Sequence, residues 1–87
     1  MLFMSIFTFT PEKRDAVIRR RAEKGPMSRG KIMAEWITIG EGRIFGVVEA
    51  DNPSLMLQAV MAWSDLGHTE LVPIMNLEDA VKAILGQ

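Results

Sequence analysis

A turn with two glycines constrains this sequence more than any other feature. Residues 40–42, Gly-Glu-Gly, separate two runs rich in apolar and β-branched side chains, residues 31–39 and 43–50. Glycine adopts at low cost the positive φ values that tight hairpin turns need. The pattern therefore predicts an antiparallel pair of strands, and a three-residue turn would place Ile37 opposite Phe45.

A helix is predicted directly after this hairpin. Asn52 is a favourable N-cap residue, and Pro53 fits the first position of a helix. The apolar residues that follow recur at helical spacing, and they are Met56, Ala59, Val60 and Trp63. The chain is therefore expected to continue from the hairpin into an amphipathic helix that packs on the sheet.

The segments on either side supply the remaining elements. Residues 2–9 are apolar on both alternating faces, which is typical of a buried strand. Residues 10–24 form a helix that opens with Thr-Pro and is stopped by Gly-Pro. Residues 68–75 give a fourth strand, and Asn76 caps a short last helix. The buried side of that helix is expected to consist of Leu77, Val81, Ile84 and Leu85.

The predicted order is β-α-β-β-α-β with an additional C-terminal helix. This is the ferredoxin-like arrangement, an α+β fold in which both long helices cover one face of a four-stranded antiparallel sheet. We expect the strand order 4-1-3-2 and a single domain over residues 1–87. Because the helices cover only one face, the other face depends on something outside the chain.

The composition excludes several classes of protein. The sequence has no cysteine, so it carries no disulfide framework and no thiolate metal site. No apolar run approaches the roughly 20 residues of a membrane span. No basic segment precedes the apolar residues 1–4, so no signal peptide is expected. We expect a cytoplasmic protein without a cofactor, a bound metal or a membrane partner.

The charged residues are distributed unevenly. Eight of the ten lysine and arginine residues lie between Lys13 and Lys31. This segment carries +6 after Asp15 and Glu23 are deducted, and the rest of the chain carries −7. Such a basic segment can mark an anion-binding surface. The favoured interpretation is a solvated helix face followed by a basic loop, since most surface charges do no specific work.

The sheet face away from the helices is predicted to be strongly apolar. The helix-covered side is expected to contain Ile32, Trp36, Ile44 and Val48. The opposite side is then expected to hold Phe3, Phe7, Ile37, Phe45 and Val47. Three phenylalanines and two aliphatic residues make too large an exposed patch for a soluble monomer. A partner is therefore expected to cover this face.

Single-stranded RNA is one covering that such a face could accept. Residues 43–50 match the RNA-recognition pattern K/R-G-F/Y-G/A-F-V-x-F/Y at its first, third, fourth and sixth positions. Recognition of this kind needs exposed rings on which bases stack. Val47 and Ala50 occupy two aromatic positions of the pattern, so nucleic acid is the less favoured covering.

A second copy of the chain is the other covering, and a family resemblance favours it. The segments that carry the resemblance are Met1-Leu2-Phe3-Met4, Val48-Glu49-Ala50-Asp51-Asn52-Pro53, Trp63-Ser64-Asp65-Leu66 and Glu70-Leu71-Val72-Pro73-Ile74. In this order they resemble an uncharacterised family of short bacterial and archaeal proteins, a domain of unknown function within the dimeric α/β-barrel superfamily. The resemblance implies a homodimer in which the two sheets lie face to face.

Few polar residues are placed to carry chemistry. Ser5, Glu35 and Glu49 are expected on the apolar outer side, where burial in a dimer would raise the pKa of a carboxyl group. The alternative is that the two glutamates lie near the rim of the sheet and pair with Arg43 or Lys31.

His68 is the sole histidine, and it shares one side of its strand with Glu70. A metal site would require both residues to meet Glu49, and nothing in the sequence enforces that geometry. A lone histidine at a strand edge is usually a surface residue, so no metal is expected here.

The sequence leaves two classes of function open. The first is a pocket for a small organic ligand, between sheet and helices or at the dimer seam, framed by Trp36, Trp63 and a glutamate. Residues 25–30 would form its lid, and Ser5 and His68 complete the candidate pocket residues. The second class is a structural or interaction module without a pocket. An enclosed cavity above about 300 Å³ with convergent polar groups would favour the first.

Overall fold

The fold is built on a four-stranded antiparallel sheet. The structure is a computed structural model, and it describes residues 1–86. The strands are β1 (Leu2–Thr8), β2 (Lys31–Ile37), β3 (Arg43–Glu49) and β4 (His68–Ile74). They lie in the order β2-β3-β1-β4, which reads 4-1-3-2 from the opposite edge. The sheet is open, and the structure is α+β.

Three α-helices connect or follow the strands. They are α1 (Arg14–Lys24), α2 (Pro53–Trp63) and α3 (Leu77–Leu85). A 3₁₀ turn over Pro11–Lys13 precedes α1, so the α-helix begins three residues later than the Thr-Pro signal indicates. None of these described helices is long and apolar enough to cross a membrane.

The predicted caps of the last two helices are confirmed. The Asn52 side chain accepts a hydrogen bond from the backbone N–H of Ser54 at 2.9 Å, and Pro53 is the first helical residue. The Asn76 side chain accepts from the backbone N–H of Glu78 at 2.8 Å. Each asparagine thus satisfies a backbone donor that has no partner inside its own helix.

The hairpin between β2 and β3 has one more turn residue than expected. Thr38 donates its backbone N–H to the carbonyl oxygen of Arg43 at 3.0 Å, which closes a four-residue loop over residues 39–42. Gly40 supplies the positive φ in this loop, at +97°.

The longer loop shifts the pairing of β2 by one residue. Ile37 pairs with Ile44 and not with Phe45. Trp36 pairs with Phe45 instead and is 57% exposed on the side away from the helices. The prediction that Trp36 packs toward the helices is therefore wrong, because a one-residue shift moves each side chain of a strand to the opposite face.

A bulge at Met33 adds a second one-residue shift, which returns the first part of β2 to the predicted facing. Ile32 pairs with Val48 and Ala34 pairs with Val47, so Met33 has no residue opposite it. Ile32 consequently lies on the helix-covered side, as predicted, and packs against the cluster that contains Val48.

One apolar cluster joins α1 and α2 to the same face of the sheet. Phe7 of β1, Val17 of α1 and Trp63 of α2 are 1%, 0% and 4% exposed, and they pack with Phe9 and Leu66. The rings of Phe7 and Trp63 meet edge to face with their centroids 5.9 Å apart, which is a favourable aromatic geometry. Phe7 therefore anchors both helices on the sheet.

The predicted positions of Phe3, Phe7 and Ile37 are wrong, since all three belong to the helix-covered side. Phe3 pairs with Val48 and Phe7 pairs with Ile44, so these residues of β1 share a face with them. Both faces of β1 are apolar, and alternation alone therefore did not determine which face is which. Ile37 moves with the shifted register of β2.

α3 is the one α-helix of residues 1–86 that has no buried residue. Its Cα atoms lie more than 8 Å from those of every other described helix and strand. The residues expected to form its buried side are instead exposed, namely Leu77 (76%), Val81 (43%), Ile84 (72%) and Leu85 (79%). The helix and its apolar stripe form as predicted, but the described chain leaves the stripe uncovered.

The chain is more extended than its size requires. Its radius of gyration is 14.6 Å, whereas about 12 Å is expected for a compact domain of this length. It exposes 6208 Å², whereas a compact monomer of this mass is expected to expose about 5,100 Å². About a fifth more surface is therefore in contact with solvent than a compact chain would leave there.

Candidate functional site

The outer face, defined as the side of the sheet opposite α1 and α2, has an apolar centre. Two apolar rows cross neighbouring strands, and they consist of Trp36, Phe45 and Ile6 and of Ala34, Val47, Met4 and Val72. The charged residues of this face lie at strand ends or on the edge strands, and they are Lys31, Arg43, Glu49, His68 and Glu70. A centre of apolar side chains inside a charged rim is typical of protein–protein interfaces.

Ser5 and Glu35 lie on the helix-covered side of the sheet, not on the outer face where they were expected. They flank Gly46 in one row across three strands, because Gly46 pairs with both residues. Arg21 of α1 donates to Glu35 Oε1 at 2.7 Å, and Glu35 is largely shielded from solvent. The alternative of an ion pair is therefore realised for Glu35, with a different partner from the predicted Arg43 or Lys31.

Glu49 does lie on the outer face, at its rim. It accepts a hydrogen bond from the N-terminal ammonium group of Met1 at 2.7 Å, and Asp51 accepts from the same group at 2.9 Å. The ammonium group lowers the pKa of Asp51, and the two carboxylates raise the pKa of the ammonium group. Glu49 is thus part of an exposed ion-pair cluster and pairs with neither Arg43 nor Lys31.

His68 and Glu49 lie at opposite ends of the sheet. His68 pairs with Thr8, while Glu49 pairs with Leu2, so the two rows are six positions apart along β1. That separation corresponds to about 20 Å. Glu70 shares the outer face with His68, but the three side chains do not meet. In residues 1–86 no group of three histidine, cysteine or acidic side chains is placed to hold a metal ion.

The two tryptophans lie on opposite sides of the sheet. Trp36 is on the outer face beside Phe45, and Trp63 is in the core beside Phe7. A single pocket framed by both tryptophans is therefore not formed within one chain.

The space between the sheet and the helices is nearly filled. One cavity of about 20 Å³ is lined by Ser5, Phe7 and Trp63 among others. A second cavity of about 10 Å³ is lined by Ser5 and Glu35 among others. A single water molecule needs roughly 10–15 Å³, so neither cavity has room for an organic ligand.

A larger opening, called here the α1–α2 cleft, lies where the C-terminal ends of α1 and α2 meet the loop over residues 25–30. Its volume is about 670 Å³, which is within the range of small-molecule sites. The residues that line it are Arg20, Lys24, Pro26, Met27, Ser28, Arg29, Ala62 and Trp63. It contains three cationic side chains and no acidic one.

Arg20 is the one cation of the cleft that is already neutralised. Its two terminal nitrogens donate to the two carboxylate oxygens of Asp65, each at 2.7 Å, and one also donates to the carbonyl oxygen of Ala62 at 3.0 Å. Its guanidinium carbon lies 5.4 Å from the ring centroid of Trp63, within range of a cation–π interaction. These hydrogen bonds lower the pKa of Asp65 and raise the pKa of Arg20.

Lys24 and Arg29 have no such neutralising partner. Within the described chain neither side chain forms an ion pair or a hydrogen bond. The cleft therefore has two uncompensated positive charges above an apolar floor of Pro26, Met27, Ala62 and Trp63. Both cations come from the basic segment that the sequence showed between Lys13 and Lys31, for which the solvated-face interpretation was favoured.

Comparison with known proteins identifies the family of the chain and nothing narrower. A search for similar curated proteins finds no match. The model of one family, described as a domain of unknown function (DUF3303), matches residues 1–87. Because the match spans the whole chain, the protein belongs to the DUF3303 family.

Proposed function

We propose that the protein is a ferredoxin-like homodimer of the dimeric α/β-barrel type, in which the outer faces of two sheets pack together, and that this dimer binds a small organic molecule. The observation that carries the assembly is the outer face, since Phe45 and Val47 lie at the centre of an apolar patch with a charged rim. Opposite charges on the rim, such as Lys31 and Glu49, allow a two-fold related copy to be complementary to the first.

The excess surface of the chain supports the same assembly. The difference between the observed 6208 Å² and the area expected of a compact monomer is about 1,100 Å². A standard interface buries about 800 Å² on each partner. One interface of ordinary size would therefore account for most of the excess.

α3 supports a partner that is a second copy of this chain. Its exposed apolar stripe begins three residues after Ile74, the last residue of β4, whose side chain belongs to the outer face. The stripe is therefore close in the chain to the surface proposed to be the interface. In the proposed dimer, α3 of each subunit packs its stripe on the partner, which removes two uncovered apolar surfaces in one association.

The RNA alternative is weakened by the position of Phe3. The motif interpretation needs aromatic rings from β1 and β3 on one open face, but Phe3 faces the helices while Phe45 faces outward. The rim of the outer face also carries both acidic and basic residues, which gives phosphate groups no continuous basic track.

A bound organic molecule needs more space than the core between the sheet and the helices provides. Both cavities there hold at most one water molecule. A small organic molecule would therefore bind at the α1–α2 cleft or at a seam created by dimerisation. A module without any ligand is the competing function, and ligand binding tests distinguish the two.

Light scattering across a dilution series tests the assembly. We expect the mass of two chains at tens of micromolar and a shift toward one chain on dilution. Phe45→Asp places a charge at the centre of the outer face and is expected to abolish the dimer, because an unpaired buried charge is strongly unfavourable. Leu57→Asp is the matched control, since Leu57 is 62% exposed on α2 and is outside the proposed interface.

The control should keep the dimeric mass and a cooperative thermal transition. A wild-type chain that stays monomeric and folded at tens of micromolar would contradict the proposed assembly. A Phe45→Asp variant that scatters as a dimer would contradict it as well.

A further inference from the structure

The α1–α2 cleft combines unpaired positive charges with apolar side chains in a single opening. Ordinary surface charges do not need such an arrangement. Arg20 is neutralised by Asp65, whereas Lys24 and Arg29 are left without acidic partners among residues 1–86. Exposed cations without a partner are common. Two of them above an apolar floor, in an opening of about 670 Å³, are the ordinary composition of a site for an organic anion.

The helix dipole of α1 offers another explanation for one of the two cations. Lys24 is in the last turn of α1, and a cation there also stabilises the negative end of the helix dipole. That explanation does not extend to Arg29, which lies in the loop between α1 and β2. Arg29 pairs with no described carboxylate and is not in the last turn of a helix, yet it lines the same cleft as Lys24.

Met27 connects the cleft with the interior. It lines the α1–α2 cleft and both small cavities between sheet and helices, and it packs against the core cluster of Phe7 and Trp63. Methionine has an unbranched, flexible side chain that adapts to irregular surfaces. A ligand with an apolar body can therefore contact Met27 without disturbing the rest of the core.

We infer that the α1–α2 cleft binds a small organic anion, whose negative group lies between Lys24 and Arg29 and whose apolar body packs on the floor of the cleft. The inference rests on the ligand-binding part of the proposed function and names the place and the class of the ligand. It does not depend on the homodimer, because neither cation lies on the outer face. An uncharged ligand of the same shape loses both ionic contacts and binds more weakly.

Anilinonaphthalene sulfonate is a suitable probe, since it joins one negative group to an aromatic body. Its neutral parent, phenylnaphthylamine, is the matched ligand without the charge. The chain has two tryptophans, so the Trp36→Phe variant leaves Trp63 as the sole tryptophan. Quenching of Trp63 emission then reports binding of the probe to the chain, and the charge variants described next assign that binding to the cleft.

The double variant Lys24→Gln with Arg29→Gln, made in the Trp36→Phe chain, is expected to bind the sulfonate about fivefold more weakly, since each exposed ionic contact contributes modestly. Arg14→Gln with Arg19→Gln is the matched control. It removes the same number of positive charges, both of them from α1, but neither residue lines the cleft. The control should keep the affinity within about twofold, and the neutral parent should show no difference among the three chains.

Three results would overturn the inference: no quenching of Trp63 by the sulfonate, equal affinity in the double variant and its parent, or an equal loss in the control pair. Light scattering on the same samples separates this inference from the assembly. A monomeric mass together with intact charge-dependent quenching contradicts the dimer alone, whereas a dimeric mass without quenching contradicts the anion site alone.

Discussion

The cluster around Phe7 and the stripe of α3 are built from the same kinds of residue but end in opposite environments. Phe7, Val17 and Trp63 come from three elements and are almost completely buried. Leu77, Ile84 and Leu85 come from one well-capped helix and remain more than two-thirds exposed. Helical spacing predicted burial for Trp63 and for the stripe of α3, and within residues 1–86 only Trp63 is buried.

The difference shows that a helix pattern specifies a surface and not the element that covers it. The cap at Asn76 and the apolar spacing are local, so they form α3 whatever lies around it. Burial requires a second surface, and within residues 1–86 no residue of α3 is buried. The two regions are therefore expected to respond differently to mutation and to protein concentration.

The largest expected effect is a loss of stability in the cluster around Phe7. Trp63→Ala removes a buried ring that touches Phe7 and Arg20, and it should lower the free energy of unfolding by about 3–5 kcal/mol. That is a large part of the stability of a small domain. Urea unfolding should show this loss at every protein concentration tested. A loss that appeared only in concentrated samples would place Trp63 in an intermolecular contact instead.

An effect that depends on concentration is expected for α3. Val81→Asp with Ile84→Asp introduces two charges into its stripe and should raise the dissociation constant of the proposed dimer about a hundredfold or more, because burial of each aliphatic side chain in that dimer would contribute about 1.5–3 kcal/mol. Sedimentation or light scattering across a dilution series measures this change.

Glu78→Gln with Lys82→Gln is the control for α3, since it alters two charged residues of the same helix without changing the stripe. It should leave the association nearly unchanged. An equal mass distribution in the stripe variant and the wild type would show that α3 takes no part in the association.

The smallest expected effect concerns the ion pair that joins α1 to the end of α2. Arg20 holds the pKa of Asp65 below its usual value of 3.8, so the pair stabilises the folded state above that pH. This contribution is lost as the pH falls through the lower pKa of the folded chain. Asp65→Asn should therefore lower the melting temperature slightly near neutral pH, and the difference from wild type should vanish in strong acid.

Glu41→Gln provides the comparison for this ion pair. Glu41 is exposed in the hairpin loop, and its carboxylate lies 3.9 Å from Nε of Arg43, where an exposed pair contributes little. Its replacement should therefore leave the melting temperature unchanged across the same range. A difference between Asp65→Asn and wild type that persisted unchanged into strong acid would show that the carboxylate charge is not its cause.

Much of the secondary structure could be predicted because its signals are local. Asn52-Pro53 and Asn76 mark helix starts through hydrogen bonds to residues two positions away. Gly40 marks the hairpin turn through its positive φ. None of these signals depends on a distant part of the chain, which explains why the order of elements was predictable from the residues alone.

The faces of the strands were less predictable because they depend on register. One extra residue in the loop over residues 39–42 moved Trp36 to the outer face, and the bulge at Met33 returned Ile32 to the helix-covered side. Neither the loop length nor the bulge leaves a distinct mark in the sequence. β1 added a second ambiguity, since Phe3 and Phe7 alternate with residues that are equally apolar.

The α1–α2 cleft could not be located from the sequence for a related reason. Lys24 and Arg29 were visible as members of a basic segment, but Ala62 and Trp63 are more than 30 positions away. The packing of Val17 and Trp63 against Phe7 brings the ends of the two helices together, and Arg20 joins them through Ala62 and Asp65. The basic residues could thus be identified from the sequence. The apolar residues that line the cleft beside them could not.

The Met33 bulge also has a consequence for how the sheet can grow. Open edge strands present unpaired N–H and C=O groups that can add strands from other molecules without limit. The bulge interrupts the ladder of β2, and on the opposite edge Pro73 removes a donor from β4. Both edges are therefore poor templates for fibril-like stacking. In the proposed dimer, contact between copies through the face of the sheet would be complete with one partner and would leave no place for a third.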